Sequence, residues 1–279
     1  MPGLPKSPRL PGFLAFVGVL AGGFLGWNAP DPAPTLTILS VGQGSCAVLR
    51  AGGRTVLFDA GPKNEHLDGG RAFVLPKLRA MGVARVDAVV LSHPDLDHAG
   101  GLEAVTGAYP SATILANAGF AREPKLPAML RELHVPGARI GWLPPYARLR
   151  VGPFAVDLAS PIVVPGANDN EGSVLARLPN AYIGGDAPSP VEAAYERWIG
   201  PVEVLVADHH GSRTSGDPSF LALVRPKWVV VSVGRNNVYG HPNPQAMARY
   251  AATGARILRT DQDGDVTFTL RNGRWERTP

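Results

Sequence analysis

Four side chains that can bind a metal ion fall within one short stretch of the sequence, at His93, Asp95, Asp97 and His98. The apolar run over residues 86–91 directly precedes them and has the length and β-branched content of a buried strand. Imidazoles and carboxylates are ligands that divalent transition metals accept in proteins. The pattern therefore predicts a fold in which the loop leaving a buried strand aims several ligands at one point. A polar loop that carries Asp and His without a metal is the alternative.

Alternating strands and helices are predicted for the chain after residue 35. The apolar periodicity predicts helices over residues 70–81, despite Pro76, and over 102–109, 126–133 and 244–253. Strands are predicted over residues 36–41, 46–49, 54–58, 86–91, 112–116, 148–151, 154–158, 173–178, 181–183, 202–207, 228–233, 256–258 and 265–270. Because strands and helices repeat in two halves, we expect a layered α/β fold with the loops of the site at one edge.

The loop H-P-D-L-D-H, followed by Gly100 and Gly101, resembles the HxHxDH signature of the metallo-β-lactamase superfamily, with Asp95 in place of the second histidine. The two glycines are expected to let the chain turn into the next segment. The variant resembles the metallo-β-lactamase-like domain of ComEC competence proteins and their stand-alone, membrane-anchored relatives. This resemblance implies an αββα sandwich, in which two mixed β-sheets are flanked by helices, with the hydrolase domain over residues 35–279.

Four further segments carry the same resemblance, in the order that the family has them. They are VGQG at 41–44 with FDAG at 58–61, GGDA at 184–187, HHGSRTS at 209–215 and VGRNNVYGHP at 233–242. Ser45 stands where the family has an Asp after VGQG. The resemblance implies that Asp59 supports the metal loop by hydrogen bonds. It also implies that Asp186 bridges two ions, since two cations can share the oxygens of one carboxylate.

Two divalent metal ions are implied as cofactors. Of the ligands, His93 and Asp95 are assigned to the first ion and Asp97 and His98 to the second; the full set is His93, Asp95, Asp97, His98, Asp186, His209 and His241. Adjacent histidines do not easily bind one ion together, so we favour His209 as the ligand and expect His210 to face the substrate. The carboxylate at position 95 makes the site richer in oxygen, which favours Mn²⁺ over Zn²⁺. His134 is interpreted as a surface residue, because its flanking sequence lacks the glycines of the family's third motif.

The reaction that these residues predict is metal-assisted phosphodiester hydrolysis, with DNA as the substrate implied by the resemblance. Residues expected to take part in catalysis are Asp97, His210, Ser212 and Asn237. Residues expected to contact substrate, through groups that suit phosphate oxygens, are Arg213, Ser215, Arg235 and Asn236. Two alternatives stay open: a hydrolase of another small-molecule ester or of a β-lactam, and a non-catalytic module for DNA binding or assembly.

Residues 1–34 are predicted to form a membrane anchor or a signal segment with a linker. The uncharged stretch over residues 10–27 follows Lys6 and Arg9 and has about the minimum length of a membrane span. An uncleaved anchor would place the domain outside the cytoplasm, whereas a cleaved signal would make it secreted or periplasmic. The net charge of +4 suits a polyanionic substrate or a membrane surface, and equally an ordinary surface. The lone Cys46 excludes an intramolecular disulfide and a CxxC zinc site.

Overall fold

The computed structural model describes residues 32–135 and 139–278. The predicted anchor over residues 10–27 lies outside these ranges. Among the residues described, no helix has both the length and the apolar character needed to cross a bilayer.

The first half of the chain and its last two strands form a mixed sheet. In the described ranges this sheet has eight strands, in the order β15-β14-β1-β2-β3-β4-β5-β6. Strands β3 to β6 are parallel, and the other neighbours are antiparallel. The strands are β1 Thr35–Ile38, β2 Ala47–Ala51, β3 Arg54–Phe58, β4 Ala88–Val90, β5 Thr113–Asn117, β6 Ile140–Leu143, β14 Val266–Arg271 and β15 Arg274–Thr278.

The second sheet is built from the rest of the chain. Its seven strands, counted over the described residues, run in the order β13-β12-β11-β10-β9-β8-β7. Strands β7 to β10 pair antiparallel, and β10 to β13 are parallel. The strands are β7 Tyr146–Val151, β8 Phe154–Ala159, β9 Leu175–Leu178, β10 Ala181–Ile183, β11 Val204–Val206, β12 Trp228–Val231 and β13 Arg256–Arg259.

Helices cover the outer face of each sheet. Their bounds are α1 Leu75–Ala80, α2 Leu96–Ala99, α3 Leu102–Ala108, α4 Lys125–Glu132, α5 Ser189–Ile199, α6 Pro218–Val224, α7 Pro244–Ala252 and α8 Thr260–Asp263. Side chains alternate along a strand, so Val56 and Phe58 pack between the sheets while Leu57 packs with α1 and α3. On the other sheet, Val204 and Val206 face the inner core and Leu205 packs with α5, α6 and α7. Four layers result, and the predicted αββα sandwich of two mixed sheets is confirmed.

Two features near the ligand loop add detail to the predictions. The helix predicted over residues 70–81 is present as a π-helical turn, Gly70–Val74, that continues into α1. Pro76 stands in the first turn of α1. Gly100 and Gly101, expected to let the chain turn into the next segment, have ordinary helical dihedrals. The reason for glycine at 101 is close approach, because a Cβ there would lie 2.0 Å from the carbonyl oxygen of Ala60.

The carboxyl ends of parallel strands from both sheets meet at one edge of the sandwich. In the first sheet, β3 runs into Asp59 and β4 into the loop that contains His93. In the second, β10, β11 and β12 run into the segments that contain Asp186, His210 and His241. Ligands of open α/β sheets bind outside the carboxyl ends of the strands, so this edge is where a functional site is expected.

Candidate metal centre

Asp97, His98, Asp186 and His210 converge at this edge. One ligand atom from each lies within 4.8 Å of the others. The Nε2 atom of His98 is 2.9 Å from Oδ1 of Asp186 and 3.3 Å from Nε2 of His210. His210 Nε2 is also 3.2 Å from Oδ2 of Asp97. The group thus contains two imidazoles and two carboxylates. Asp97 and His98 follow a strand of the first sheet, and Asp186 and His210 follow strands of the second.

The other ring nitrogen of each of these histidines is bound to the protein. His98 Nδ1 donates to Oδ2 of Asp59 at 2.7 Å, and His210 Nδ1 donates to the carbonyl oxygen of Ser232 at 2.8 Å. In the neutral rings both Nε2 atoms therefore carry lone pairs, which face each other and repel unless a cation lies between them. This arrangement fits a metal ion, since a metal-binding histidine usually donates its second nitrogen to a carboxylate or a carbonyl group.

The charges of the group attract positive charge. Burial lowers the pKa of His98, but the carboxylates of Asp186, Asp59 and Asp97 outweigh it and hold that pKa well above its usual value. Burial raises the pKa of Asp186, yet the imidazoles of His98 and His210 hold it well below the ordinary range. Burial lowers the pKa of His210, but the carboxylates of Asp186 and Asp97 outweigh it and raise that pKa above its usual value. The carboxylates of this buried group therefore favour positive charge, supplied either by protons on the two histidines or by a metal ion in their place.

Asp59 has the supporting position that the sequence predicted for it. The backbone N–H of Ser92 donates to Oδ1 of Asp59 at 2.8 Å, and Ser92 Oγ donates to Oδ2 at 3.0 Å. Both residues are buried, so these hydrogen bonds are shielded from water. Together with the contact to His98, they fix the start of the ligand loop to the end of β3. Ser92, which no sequence motif indicated, therefore orients the loop as well.

His93 and Asp95 lie together on the other side of the loop. His93 Nε2 is 3.3 Å from Oδ2 of Asp95, is buried, and has no hydrogen-bond partner among the described residues. The remaining carboxylate oxygen of Asp95 contacts the ammonium group of Lys125, which also lies 2.6 Å from Oδ2 of Asp169. His93 and then Lys125 lower the pKa of Asp95. His93 and Asp95 thus lie in contact with each other, and their role as ligands of a first ion stays a prediction. No motif indicated Lys125 as a neighbour of this pair.

The two adjacent histidines differ in position from the sequence-based preference. His210, expected to face the substrate, belongs to the four-residue group, whereas His209, the favoured ligand, does not. His209 Nε2 lies 3.6 Å from the second oxygen of Asp186 and 3.4 Å from Nδ2 of Asn170. Both histidines have left-handed backbone dihedrals, with φ of 50° and 53°, which lets consecutive side chains approach the same carboxylate. Asp186 therefore stands between them, and its bridging of two ions stays a prediction.

His241 lies outside the four-residue group. Its ring centroid is 5.6 Å from that of His209 and 6.2 Å from that of His210. Burial and the neighbouring histidines lower its pKa, so the neutral ring is favoured. His241 thus lies next to the centre, and its role as a metal ligand stays a prediction.

The glycine-rich turn over residues 41–44 packs under the ligand loop. The backbone N–H of Ser45 donates to the carbonyl oxygen of Asp97 at 3.0 Å. A Cβ at Gly44 would lie 2.4 Å from that same oxygen, so only glycine lets the two segments approach. Ser45, where the family has an Asp, thus supports Asp97 through its backbone.

Three residues predicted for catalysis or substrate contact make hydrogen bonds to backbone groups of the fold. Ser215 is fully buried, and its hydroxyl donates to the carbonyl oxygen of Ser212. The side-chain amide of Asn237 makes four hydrogen bonds to the backbone of its own loop. Arg235 donates to the carbonyl oxygen of Asp261. The polar groups of Ser215 and Asn237 are thus used in holding the fold, whereas Arg235 is exposed and its contact with substrate stays a prediction.

The other predicted residues are placed as follows. Ser212 is buried in the turn after His210, and its hydroxyl lies 3.2 Å from that of Thr214. Arg213 is exposed. Asn236 is exposed and lines a groove of about 820 Å³ beside the centre. Of the residues that the sequence assigned to this chemistry, Asp95, Asp97, Asn236 and Asn237 line that groove, together with Lys63, Lys125 and Tyr239.

The sequence over residues 39–235 matches the family model described as the metallo-beta-lactamase superfamily. The chain belongs to this superfamily. Its fold agrees: a diphosphatase from the PhnP family has a TM-score of 0.56 at 16% sequence identity, with 85% of this chain and 98% of that chain covered. Igni18, a metallo hydrolase from Ignicoccus hospitalis, has a TM-score of 0.54 at 15% identity, with 85% and 100% covered.

Relatives by sequence are competence-related proteins, which confirms the resemblance to that branch of the metallo-β-lactamase superfamily. The chain is 30% identical to Competence protein ComA of Neisseria gonorrhoeae, over 95% of this chain and 37% of that protein. It is 27% identical to ComE operon protein 3 of Bacillus subtilis, over 73% and 27%. Recombination protein 2 of Haemophilus influenzae is 28% identical, over 88% and 30%. The chain thus spans about a third of the length of these relatives.

Proposed function

We propose that this metallo-β-lactamase superfamily hydrolase is a metal-dependent phosphodiesterase that acts on DNA. The observation that carries the proposal is the group of Asp97, His98, Asp186 and His210, in which the two Nε2 atoms lie 3.3 Å apart while both Nδ1 atoms are hydrogen-bonded to the protein. The names of the sequence relatives refer to competence and recombination. Both processes involve DNA, so these names support a nucleic acid substrate.

The four residues of the group would hold one divalent ion, and His93 with Asp95 would hold a second beside it. Such ions supply Lewis acidity, which lowers the pKa of a water molecule and polarises a phosphoryl oxygen. Asp59 keeps the proton of His98 on Nδ1, so that Nε2 stays available as a ligand. Mn²⁺ is the proposed ion rather than Zn²⁺, because the carboxylate of Asp95 replaces an imidazole.

Lysines of the groove wall bring positive charge next to the centre. Lys125 contacts Asp95, and Lys63 lies 2.8 Å from Glu103, so both are held in place by carboxylates. An ammonium group in such a position attracts the oxygens of a phosphodiester backbone. The stretch over residues 10–27 is proposed to anchor the chain in a membrane with this groove outside the cytoplasm.

Hydrolysis assays on the purified 279-residue chain test this proposal. The protein is stripped of metal with a chelator, resupplied with Mn²⁺ or Zn²⁺, and incubated with single-stranded DNA, duplex DNA and the β-lactam nitrocefin. We expect metal-dependent cleavage of DNA that Asp97→Asn abolishes. Asp265→Asn is the matched control, because its carboxylate is equally exposed, at 33%, and pairs with Lys77 away from the centre.

The outcomes separate the candidate functions. Cleavage of nitrocefin without cleavage of DNA would replace the proposal with a lactamase. Binding of DNA without cleavage under either metal would replace it with a binding module. Equal loss of activity in the two Asp variants would show that the centre is not where the reaction occurs.

A further inference from the structure

The loop between β12 and α7 exposes an aromatic ring beside the metal centre. Val238 and Tyr239 at its tip are 92% and 68% exposed. Exposed side chains of this size are unusual next to each other on a loop that is otherwise ordered by hydrogen bonds. Both residues line the groove described above.

Asn237 fixes the shape of this loop. Its Nδ2 donates to the carbonyl oxygens of Gly234, at 2.9 Å, and His241, at 2.6 Å. Its Oδ1 accepts from the backbone N–H groups of Tyr239, at 3.2 Å, and His241, at 3.1 Å. The base of the loop is held by Gln43, whose side chain accepts from the N–H of Gly234. The ring of Tyr239 is therefore presented by a fixed backbone, which lowers the entropy lost when a ligand binds it.

Three rings lead from the metal centre to this exposed position. The ring of His210, whose Nε2 belongs to the four-residue group, lies 6.2 Å from that of His241 at an interplanar angle of 27°. The ring of Tyr239 lies 6.0 Å from that of His241 at 28°. One face of the Tyr239 ring is thus turned toward His241. Because Tyr239 is exposed, the rest of its ring is open to the groove.

We propose that Tyr239 is the stacking platform for an unpaired nucleobase next to the scissile phosphate, and that it makes the enzyme select single-stranded DNA. The inference rests on the phosphodiesterase function proposed above. A phosphodiester at Asp97 would carry its neighbouring nucleoside along the same groove, toward Tyr239. The faces of bases inside a duplex are covered by their neighbours, so a ring at a loop tip reaches only a base that is unpaired or unstacked.

Kinetics on matched oligonucleotides test the role of the ring. The substrates are an end-labelled single strand and a strand of equal length built from abasic units, which has the phosphates without the bases. For Tyr239→Ala we expect KM for the normal strand to rise by about 5- to 150-fold, the range for the loss of one stacked base. Cleavage of the abasic strand and the bound metal content should not change. Tyr239→Phe should retain the KM of the parent, because it keeps the ring.

Tyr146→Ala is the matched control, since Tyr146 is 60% exposed but lies on β7 and does not line the groove. If Tyr239→Ala left KM unchanged, or weakened cleavage of both strands equally, the stacking role would be overturned. The second result would mark Tyr239 as a residue that only shapes its loop.

A binding measurement keeps the inference separate from the proposed reaction. The fluorescence of a DNA single strand that contains 2-aminopurine is followed during titration with the metal-free protein, so that binding is measured without cleavage. Quenching by the parent and by Tyr239→Phe, but not by Tyr239→Ala, supports stacking even if no cleavage is found in any assay. Absence of quenching by the parent would overturn the inference. Cleavage without quenching would leave the proposed function standing alone.

Discussion

Replacement of Asp59 by Asn should weaken metal binding without touching a ligand. Asp59 accepts hydrogen bonds from the N–H of Ser92, from Ser92 Oγ and from Nδ1 of His98. An Asn amide has one oxygen and one NH₂ group, so it cannot accept at both ends. If the oxygen stays with the Ser92 N–H, the NH₂ faces His98 Nδ1 and forces the proton onto Nε2, where it blocks the metal.

The opposite orientation of the amide is also unfavourable. It sets the NH₂ group against the N–H of Ser92 in a buried position, which costs about 1–3 kcal/mol for the unmet donors. Loss of a supporting partner lowers metal affinity by about 10- to 100-fold. At about 1.4 kcal/mol per factor of ten, the upper end of that range is similar to the cost of the flipped amide. We therefore expect a drop of this size in either orientation.

Isothermal titration calorimetry of the metal-free Asp59→Asn protein with Mn²⁺ measures the change in metal affinity, and circular dichroism checks the fold. Ser92→Ala is the comparison, because it removes the hydroxyl that contacts Asp59 and Nδ1 of His93 and His98, but leaves the hydrogen bond between His98 and Asp59. Its loss of affinity should be the smaller of the two. A folded Asp59→Asn chain that binds metal within about threefold of the parent, below the expected range, would refute the assigned tautomer of His98.

Three further outcomes are expected. His210→Ala should lose the most tightly bound ion, measured by elemental analysis, whereas His209→Ala should keep it, because only His210 belongs to the four-residue group; equal loss would contradict this. Metal affinity should fall as the pH is lowered, and the fall should begin above the pKa of free imidazole, about 6.5. The reason is that the pKa values of His98 and His210 are raised, so protons compete for Nε2 at a higher pH; a flat titration series would argue against these ligands. Gly101→Ala should destabilise the chain by about 1–3 kcal/mol in thermal unfolding, since its Cβ would meet the oxygen of Ala60, while Gly107→Ala meets nothing within 4 Å and should not destabilise it.

The positions of three site residues that follow parallel strands could be predicted from the sequence. Asp59, His98 and Asp186 each come after a short apolar strand, and parallel strands place their carboxyl ends at one edge of a sheet. The fold class followed from the same alternation of strands and helices. These inferences needed only local patterns and the rules by which such patterns pack.

Contacts between side chains far apart in sequence could not be predicted in this way. Lys125 reaches Asp95 from α4, across 30 residues of sequence, and no motif marks it. The positions of His209 and His210 relative to Asp186 could not be predicted either, because both residues have left-handed backbone dihedrals that the sequence does not indicate. The requirement for glycine at position 101 depends on the oxygen of Ala60, a neighbour that appears only after folding.

Asp97 and His98 follow a strand of the eight-stranded sheet, whereas Asp186 and His210 follow strands of the seven-stranded sheet. A bound ion would therefore cross-link the N-terminal half of the sandwich to the C-terminal half by coordinate bonds. Because a ligand that binds the native state alone adds to stability, starvation for metal should leave a protein that opens more readily and is degraded sooner. We expect the metal supply of the cell to set how much of this protein survives, as well as how fast it works.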